Sequence, residues 1–505
     1  MAFQTAVVSV QNAWQSLRVA RLARWWLVFY LAAASLFVFG LFSTWAYDDP
    51  FITYRYAHNL ARGWGFVYNP GERVLSTTTP LFTLLLVIPA RLGLNLPLVA
   101  RLIGAASLAA GGLLLWDLAE TLKLRPVGLA GLALYPTFPM VVTSLGSETP
   151  LYLTLCLGSF ALYFRGRHAP AALLLGLAVL ARPDGFLVAV LLAGDYLIRR
   201  RGPLPWRALA VFLGILGTWA LFAWLYFGSP LPVTLAAKQG QGGMAISERF
   251  APGFLTIVRW YFSWPYALEA GLALAGSVYA LRVARAWLLL LVWPLVYFAA
   301  YSALGVSRYF WYYAPLVPGF IAAVGLGLAA VGRLTGEALD AENNGHPFEL
   351  RRWNALLASR VLSVLLVATL ALAQGYSLWN LRRQADPRQA IYRAVGEWLQ
   401  LNTETDSQVG TLEVGIIGYY ADRPMVDFAG LIQPAISAQF TTQTTYQDSA
   451  LFAVERYQPD ILVLHDGLFG QLENGYVAGH CEVVQRFRGE GYRYSENLSV
   501  YACRE

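Results

Sequence analysis

Trp25-Trp26-Leu27-Val28-Phe29-Tyr30 opens an uncharged run that reaches Trp45 and passes straight into Tyr47-Asp48-Asp49-Pro50-Phe51-Ile52-Thr53-Tyr54-Arg55-Tyr56-Ala57-His58-Asn59-Leu60. An apolar segment of about 20 residues crosses the roughly 30 Å of bilayer hydrocarbon, so 25–45 reads as a membrane span. It exceeds the apolar core of about 7–15 residues found in a cleavable leader, and it follows a basic amphipathic stretch, 1–24, holding Arg18, Arg21 and Arg24. We read it as an uncleaved anchor. Working outward, further apolar blocks fall at 98–118, 127–144, 150–164, 169–181, 185–198, 207–227, 269–281, 286–304, 310–332 and 358–380. The block 80–92 is shorter and carries Pro80 and Pro89, which suits a juxtamembrane or re-entrant helix. The chain is 57% hydrophobic and only 13% charged, with a mean hydropathy of +0.48. An ordinary soluble enzyme sits nearer about 25% charged, so that class is excluded.

The expected architecture is a polytopic α-helical membrane protein of about eleven spans, 25–380, with an outer loop at 46–97. Basic residues fall in alternate loops: Lys123 and Arg125, Arg165 and Arg167, Arg199 to Arg201, Arg282 and Arg285, then Arg333 with Arg351 and Arg352. The positive-inside rule then places the N-terminus in the cytoplasm of a plasma-membrane protein, and everything after 381 outside. The overall charge of +7 is a sum of +13 over 1–380 and −6 over 381–505. The basic residues serve loops between spans, so no nucleic-acid partner is implied. The inner segment 333–357, rich in Asp, Glu and Asn, reads as a solvated linker.

Beyond 381 the pattern changes to that of a small extracytoplasmic α/β domain. Pro387–Leu401 has helical spacing; Gln408–Leu412, Pro424–Phe428 and Asp460–His465 read as buried strands, with Ala450–Tyr457 as a helix. Asp427, Asp460, His465 and Asp466 read as structural. Cys481 and Cys503 lie where a disulfide is chemically allowed, but sequence leaves their separation open.

Chemistry concentrates in the first outer loop. Two adjacent carboxylates at a membrane exit repel each other and lose solvation, which raises a pKa and suits a general base. Asp49-Pro50 also has the form of an N-cap and first-turn proline for a helix over 50–61, ended by Gly63. Asp48 and Asp49 are both catalytic candidates; Asp48, ahead of the cap, is the favoured base, and the choice between the two stays open. Thr53, Tyr56 and Leu60 share one helix face; Phe51, Arg55 and His58 share another.

Asp48-Asp49 outside the first span, the Tyr54-Arg55-Tyr56-Ala57 helix and Gly65-Phe66-Val67-Tyr68-Asn69-Pro70-Gly71-Glu72-Arg73-Val74 resemble the GT-C superfamily of membrane glycosyltransferases. Within it, the pattern is most similar to the mycobacterial terminal β-(1→2)-arabinofuranosyltransferase group and its bacterial relatives. Weaker matching stretches are Gly146 to Tyr152, Ala181 to Gly185, Gly228 to Thr234, Glu413 to Tyr420 and Asp427 to Ile432, so the resemblance covers nearly the whole chain. Thr77-Thr78-Thr79-Pro80-Leu81 departs from the Thr-Asn-Pro-Leu common in those relatives, which puts arabinose in question. The resemblance implies sugar transfer from a polyprenyl-phosphate donor, outside the membrane, with an aspartate of the first outer loop as base and no metal or other cofactor.

The remaining outer polar groups fit that role. Arg55, Lys238 and Arg308 are candidates to hold a lipid phosphate, because cations at the outer interface pair with it. Lys238 sits in a stretch loosened by Gly240, Gly242 and Gly243, which is no P-loop. Tyr54, His58, Glu148, Arg182 and Asp184 are supporting polar residues; Arg182 and Asp184 between apolar blocks also suit an ion pair. The expected partners are a polyprenyl-phosphate sugar, a glycan, lipid or protein acceptor, and membrane lipid. The expected step is an inverting transfer. The alternative is a lipid-linked sugar transporter or flippase, although such proteins place ionisable groups nearer the bilayer midplane.

Overall fold

The computed structural model describes residues 25–199, 202–244, 247–261, 263–342 and 348–504. The N-terminal segment 1–24, and part of the linker at 333–357, lie outside those residues. Among the described residues six helices are long and apolar enough to cross a membrane: Trp25–Phe42, Leu96–Thr121, Trp206–Phe227, Arg285–Leu304, Phe310–Thr335 and Leu357–Asn402. Thr149–Phe164, His168–Ala181 and Gly185–Ile198 are apolar but have 16, 14 and 14 residues. At 1.5 Å per residue such helices run about 21–24 Å, short of a full bilayer core. A count of eleven spans is therefore not established.

One expected span fails outright. Block 127–144 is cut into a helix Arg125–Ala133, a 3-10 turn Tyr135–Thr137 and a short helix Pro139–Val142. The cause is local: Pro136 and Pro139 lack the backbone N–H a continuing helix needs. Block 80–92 forms the 12-residue helix Pro80–Arg91, and Trp264–Arg282 extends the block at 269–281. The glycine-rich stretch around Lys238, expected to be mobile, is instead the helix Thr234–Gly243. Within the bundle, Trp264–Arg282 packs backbone to backbone on Val317–Glu342. A Cβ at Gly276 would strike the Ala323 carbonyl, and one at Gly327 the Leu272 carbonyl. Small residues permit this close approach in a medium where hydrophobicity does not drive helices together.

The C-terminal part is a five-stranded sheet of order β2-β1-β3-β5-β4. Its strands are β1 Val409–Thr411, β2 Met425–Asp427, β3 Ile461–His465, β4 Cys481–Phe487 and β5 Leu498–Cys503. β2, β1 and β3 are parallel; β5 and β4 run antiparallel. The three parallel strands are wholly buried and were visible as apolar runs. The β4–β5 hairpin was not foreseen, since β4 is an exposed edge of mixed polarity. Cys481 and Cys503 pair in register across it and form a disulfide.

The domain does not stand apart from the first outer loop. Phe51, Ile52, Tyr54, Tyr56, Phe66 and Tyr68 share one buried cluster with Ile391, Val395, Leu399, Val414, Ile417 and Met425. Polar ties reinforce it: Asn69 donates to the Met425 carbonyl and accepts from the Met425 N–H, both at 2.9 Å, and Tyr68 donates to the Val414 carbonyl at 2.5 Å.

Candidate active site

The chain leaves the first helix under tight control. Trp45 donates from its indole to the Thr143 carbonyl at 2.9 Å, Arg101 donates to the Trp45 carbonyl at 3.0 Å, and Tyr47 stacks on Trp311 with ring centres 4.8 Å apart. A helix, Asp49–Ala61, then begins, with Asp48 as its flanking residue and no side-chain cap. Asp49 is thus not the cap expected of it. Gly63, at φ +86°, does end the helix as the spacing suggested.

The two adjacent carboxylates part company here. Asp49 turns into the bundle, where Lys238 Nζ lies 2.6 Å from its Oδ2. Asp48 turns the other way: its Oδ2 accepts the Gly415 N–H at 2.8 Å and its Oδ1 the Ile416 N–H at 2.7 Å. It therefore caps the helix Ile416–Ala421 of the C-terminal domain. Burial pushes the Asp48 carboxyl up to about 6 even though both N–H bonds pull the other way.

Two chambers meet at this point, sharing Tyr47, Asp49, Trp311 and Leu431. The first, about 340 Å³, is lined by Asp49, Lys238, Glu148, Arg182, Asp184 and the hydroxyls of Thr53, Thr77 and Thr79. Phe186, Leu231 and Leu235 on its rim remain exposed, so it opens past apolar side chains of the kind that face lipid. The hydroxyls of Thr53, Thr77 and Thr79 hydrogen-bond one another at 3.1–3.5 Å. Lys238 lies over Tyr309, Tyr312 and Trp311, 4.5–5.5 Å from the ring centres. Burial works against its charge, but the Asp49 carboxylate and Tyr312 outweigh that and hold its pKa above the ordinary lysine value. Arg182 is neutralised locally, with Asp184 at 3.1 Å and Glu148 at 3.2 Å, and it also donates to Tyr301 at 3.1 Å.

The second chamber, about 270 Å³, lies between that junction and the C-terminal domain. Its walls include Arg308, Tyr309, Trp260, Arg388 and Glu413. Glu413 is pushed up to about 8 by burial and by the nearby Asp48 charge. Arg388 and Glu413 went unnoticed in the sequence as site residues, although Glu413 opens one of the matching stretches.

Several expected site residues are elsewhere. Arg55 is buried and donates to the carbonyls of Tyr68, Gly418 and Arg423, so it ties the outer loop to the domain and cannot reach a donor phosphate. Arg308 pairs with Glu248 at 3.1 Å and faces the second chamber, away from Lys238. Tyr54 donates to the Gly146 carbonyl, and His58 lies half-buried near Tyr419; neither lines a chamber. Glu148, Arg182, Asp184 and Lys238 are brought together with Asp49. In the domain, Asp427 accepts the N–H groups of Ala429, Leu431 and Ile432, and Asp460 that of Gln408, which are structural roles.

The architecture is thus a helical membrane module with an acidic loop after its first helix, closed by a small α/β domain. That fold is shared with ArnT from Cupriavidus metallidurans bound to undecaprenyl phosphate: TM-score 0.60 at 16% identity, covering 94% of this chain and 98% of that one. The Archaeoglobus fulgidus oligosaccharyltransferase in its apo form aligns with TM-score 0.52 at 16% identity over 90% of this chain and 71% of that one. In sequence, an alignment 274 positions long at 30% identity to the terminal β-(1→2)-arabinofuranosyltransferase of Mycobacterium tuberculosis covers 48% of this chain and 42% of the relative. The chain thus spans less than half of that relative's length. Residues 379–501 match a domain of unknown function, DUF8728.

Proposed function

We propose that this chain is a membrane glycosyltransferase that moves a sugar from a polyprenyl-phosphate donor to an acceptor hydroxyl on the extracytoplasmic face, with inversion and with Asp49 as general base. The observation that carries this reading is the position of Asp49: it is the carboxylate shared by the two chambers, and it is paired with a cation on the donor side. The likeness to ArnT, solved with undecaprenyl phosphate, supports the choice of donor, and the likeness to the arabinofuranosyltransferase supports sugar transfer.

The donor enters the first chamber past Phe186, Leu231 and Leu235, with its phosphodiester beside Lys238. The acceptor approaches from the second chamber. Its hydroxyl oxygen attacks the anomeric carbon as the O–H proton passes to Asp49. The bond from that carbon to the phosphate oxygen breaks, and polyprenyl phosphate leaves with the electron pair. Protonation cancels the charge on Asp49 just as the phosphate gains one, so Lys238 exchanges one anionic partner for another without moving far. Such a preplaced cation stabilises charge where it develops. Asp48, with both oxygens given to backbone donors, holds the C-terminal domain over the junction. The three threonine hydroxyls supply neutral partners for a sugar ring.

The test is to incubate purified full-length protein with a polyprenyl-phosphate sugar and a hydroxyl acceptor. Release of free polyprenyl phosphate together with a new glycoside supports transfer. Movement of intact donor between leaflets without release would establish the transporter alternative.

A further inference from the structure

The second chamber holds a pair of groups that the transfer step does not use. Arg388 is fixed by Asp386, which accepts from its Nε at 3.0 Å and its Nη2 at 2.6 Å. This leaves Nη1 turned toward Glu413, 3.7 Å from Oε1. That ion pair is the only bond found for the Glu413 carboxyl among the described residues, and the group remains partly exposed within the chamber. The loop carrying it is pinned on both sides: Tyr68 holds the Val414 carbonyl, and Asp48 holds the N–H groups of Gly415 and Ile416. Facing them are Tyr309 and Trp311, with ring centres 4.7 Å apart.

The other charges of the chamber are mostly paired. Asp49 is paired with Lys238, and Arg308 with Glu248 through its Nε, while Arg308 Nη1 is buried without a hydrogen-bond partner. Asp48 is spent on two backbone donors. An anionic acceptor would meet three carboxyls here, those of Asp48, Asp49 and Glu413, against the two guanidinium groups of Arg308 and Arg388. A carboxyl and a guanidinium nitrogen less than 4 Å apart match two adjacent hydroxyls instead, the carboxyl accepting from one and the guanidinium donating to the other. Aromatic faces beside such a pair suit the C–H face of a sugar ring.

We propose that the second chamber is a sugar-acceptor subsite in which Glu413 and Arg388, both from the C-terminal domain, grip a vicinal pair of hydroxyls while a further hydroxyl of the same neutral glycan meets Asp49. This deepens the transfer reading and relies on it only for what happens after the sugar binds. It narrows the acceptor class to glycans with a free diol, against peptides and anionic headgroups.

Binding can be measured without donor. Saturation-transfer NMR on the purified full chain would compare soluble arabinofuranosyl, mannosyl and glucosyl disaccharides, each with monodeoxy analogues lacking one hydroxyl of the diol. At least one disaccharide is expected to bind ten-fold or more tightly than its monodeoxy analogue. Glu413→Gln and Arg388→Gln should each bring that ratio close to one, with the C-terminal domain as resistant to protease as in the parent protein. Arg504→Gln, which removes an exposed ion pair with Glu482 outside the chamber, should leave the ratio unchanged. Equal binding of every pair by the parent protein, or a ratio unmoved in both Gln variants, would overturn the subsite. A parent protein that discriminates the disaccharides but never consumes a polyprenyl-phosphate donor would overturn the transfer reading and leave the subsite standing.

Discussion

Replacing Asp48 separates docking from catalysis, because its two oxygens each satisfy a buried N–H, those of Gly415 and Ile416. In Asp48→Ala both donors lose their acceptor. An unmet buried donor costs about 1–3 kcal/mol, and loss of an N-cap about 0.5–2 kcal/mol. Relief from burying a carboxylate offsets part of this, so the net loss should be about 2 kcal/mol, near the N-cap figure. Asp48→Asn keeps one acceptor and removes the charge, and should stay within about 1 kcal/mol of the parent. Gly415→Ala should behave like the alanine variant, since its Cβ would collide with the Asp48 carbonyl and carboxylate. The assay is thermal unfolding and limited proteolysis of the full chain, read beside turnover. Acidity gives an independent check. The carboxyl titrates at about 6 in the folded chain against an ordinary 3.8, so the folded state holds the extra proton between those values. Stability from this group is therefore fully present below pH 3.8 and falls as pH rises to about 6, in the parent but not in Asp48→Asn. A hundred-fold loss of turnover in Asp48→Asn, with the domain still protease-resistant, would refute this role and return the base to Asp48.

Further outcomes follow from neighbouring contacts. Arg55→Lys can satisfy one of three carbonyls and should lower the unfolding temperature, with a cost of about 2–4 kcal/mol, while the KM for donor in the surviving folded enzyme is unchanged. Lys238→Ala should raise the donor KM and cut turnover at least ten-fold, and turnover of the parent should survive EDTA; loss on chelation that Mg²⁺ restores would show that a metal holds the phosphate. Cys481→Ser opens a loop between residues 22 apart, which should destabilise the C-terminal domain by about 3 kcal/mol in calorimetry and leave donor release intact once folded.

Much of the helical framework was legible because hydrophobic length is a local property. The helix at Asp49–Ala61 was marked by Asp49-Pro50 at one end and Gly63 at the other, and β1 to β3 by short apolar runs. Block 127–144 misled because its apolar content outvoted Pro136 and Pro139. The β4–β5 hairpin escaped because its exposed edge has no clean alternation. The acidic pair was recognisable as chemistry, yet its division of labour was not. Asp48 finds its donors 367 and 368 positions away, and Asp49 its lysine 189 positions away. Arg55 looked like a free interfacial cation because two of the three carbonyls that absorb it lie 363 and 368 positions away. Long-range polar pairing leaves no periodicity in the chain.

The most direct measurement compares the parent protein with Asp49→Asn in single-turnover assays of polyprenyl phosphate release, with donor binding measured in parallel. An Asn cannot accept the hydroxyl proton, so release should fall by a factor of about 10²–10⁴ while the donor still binds. Release at the parent rate from the variant would contradict the account at its root.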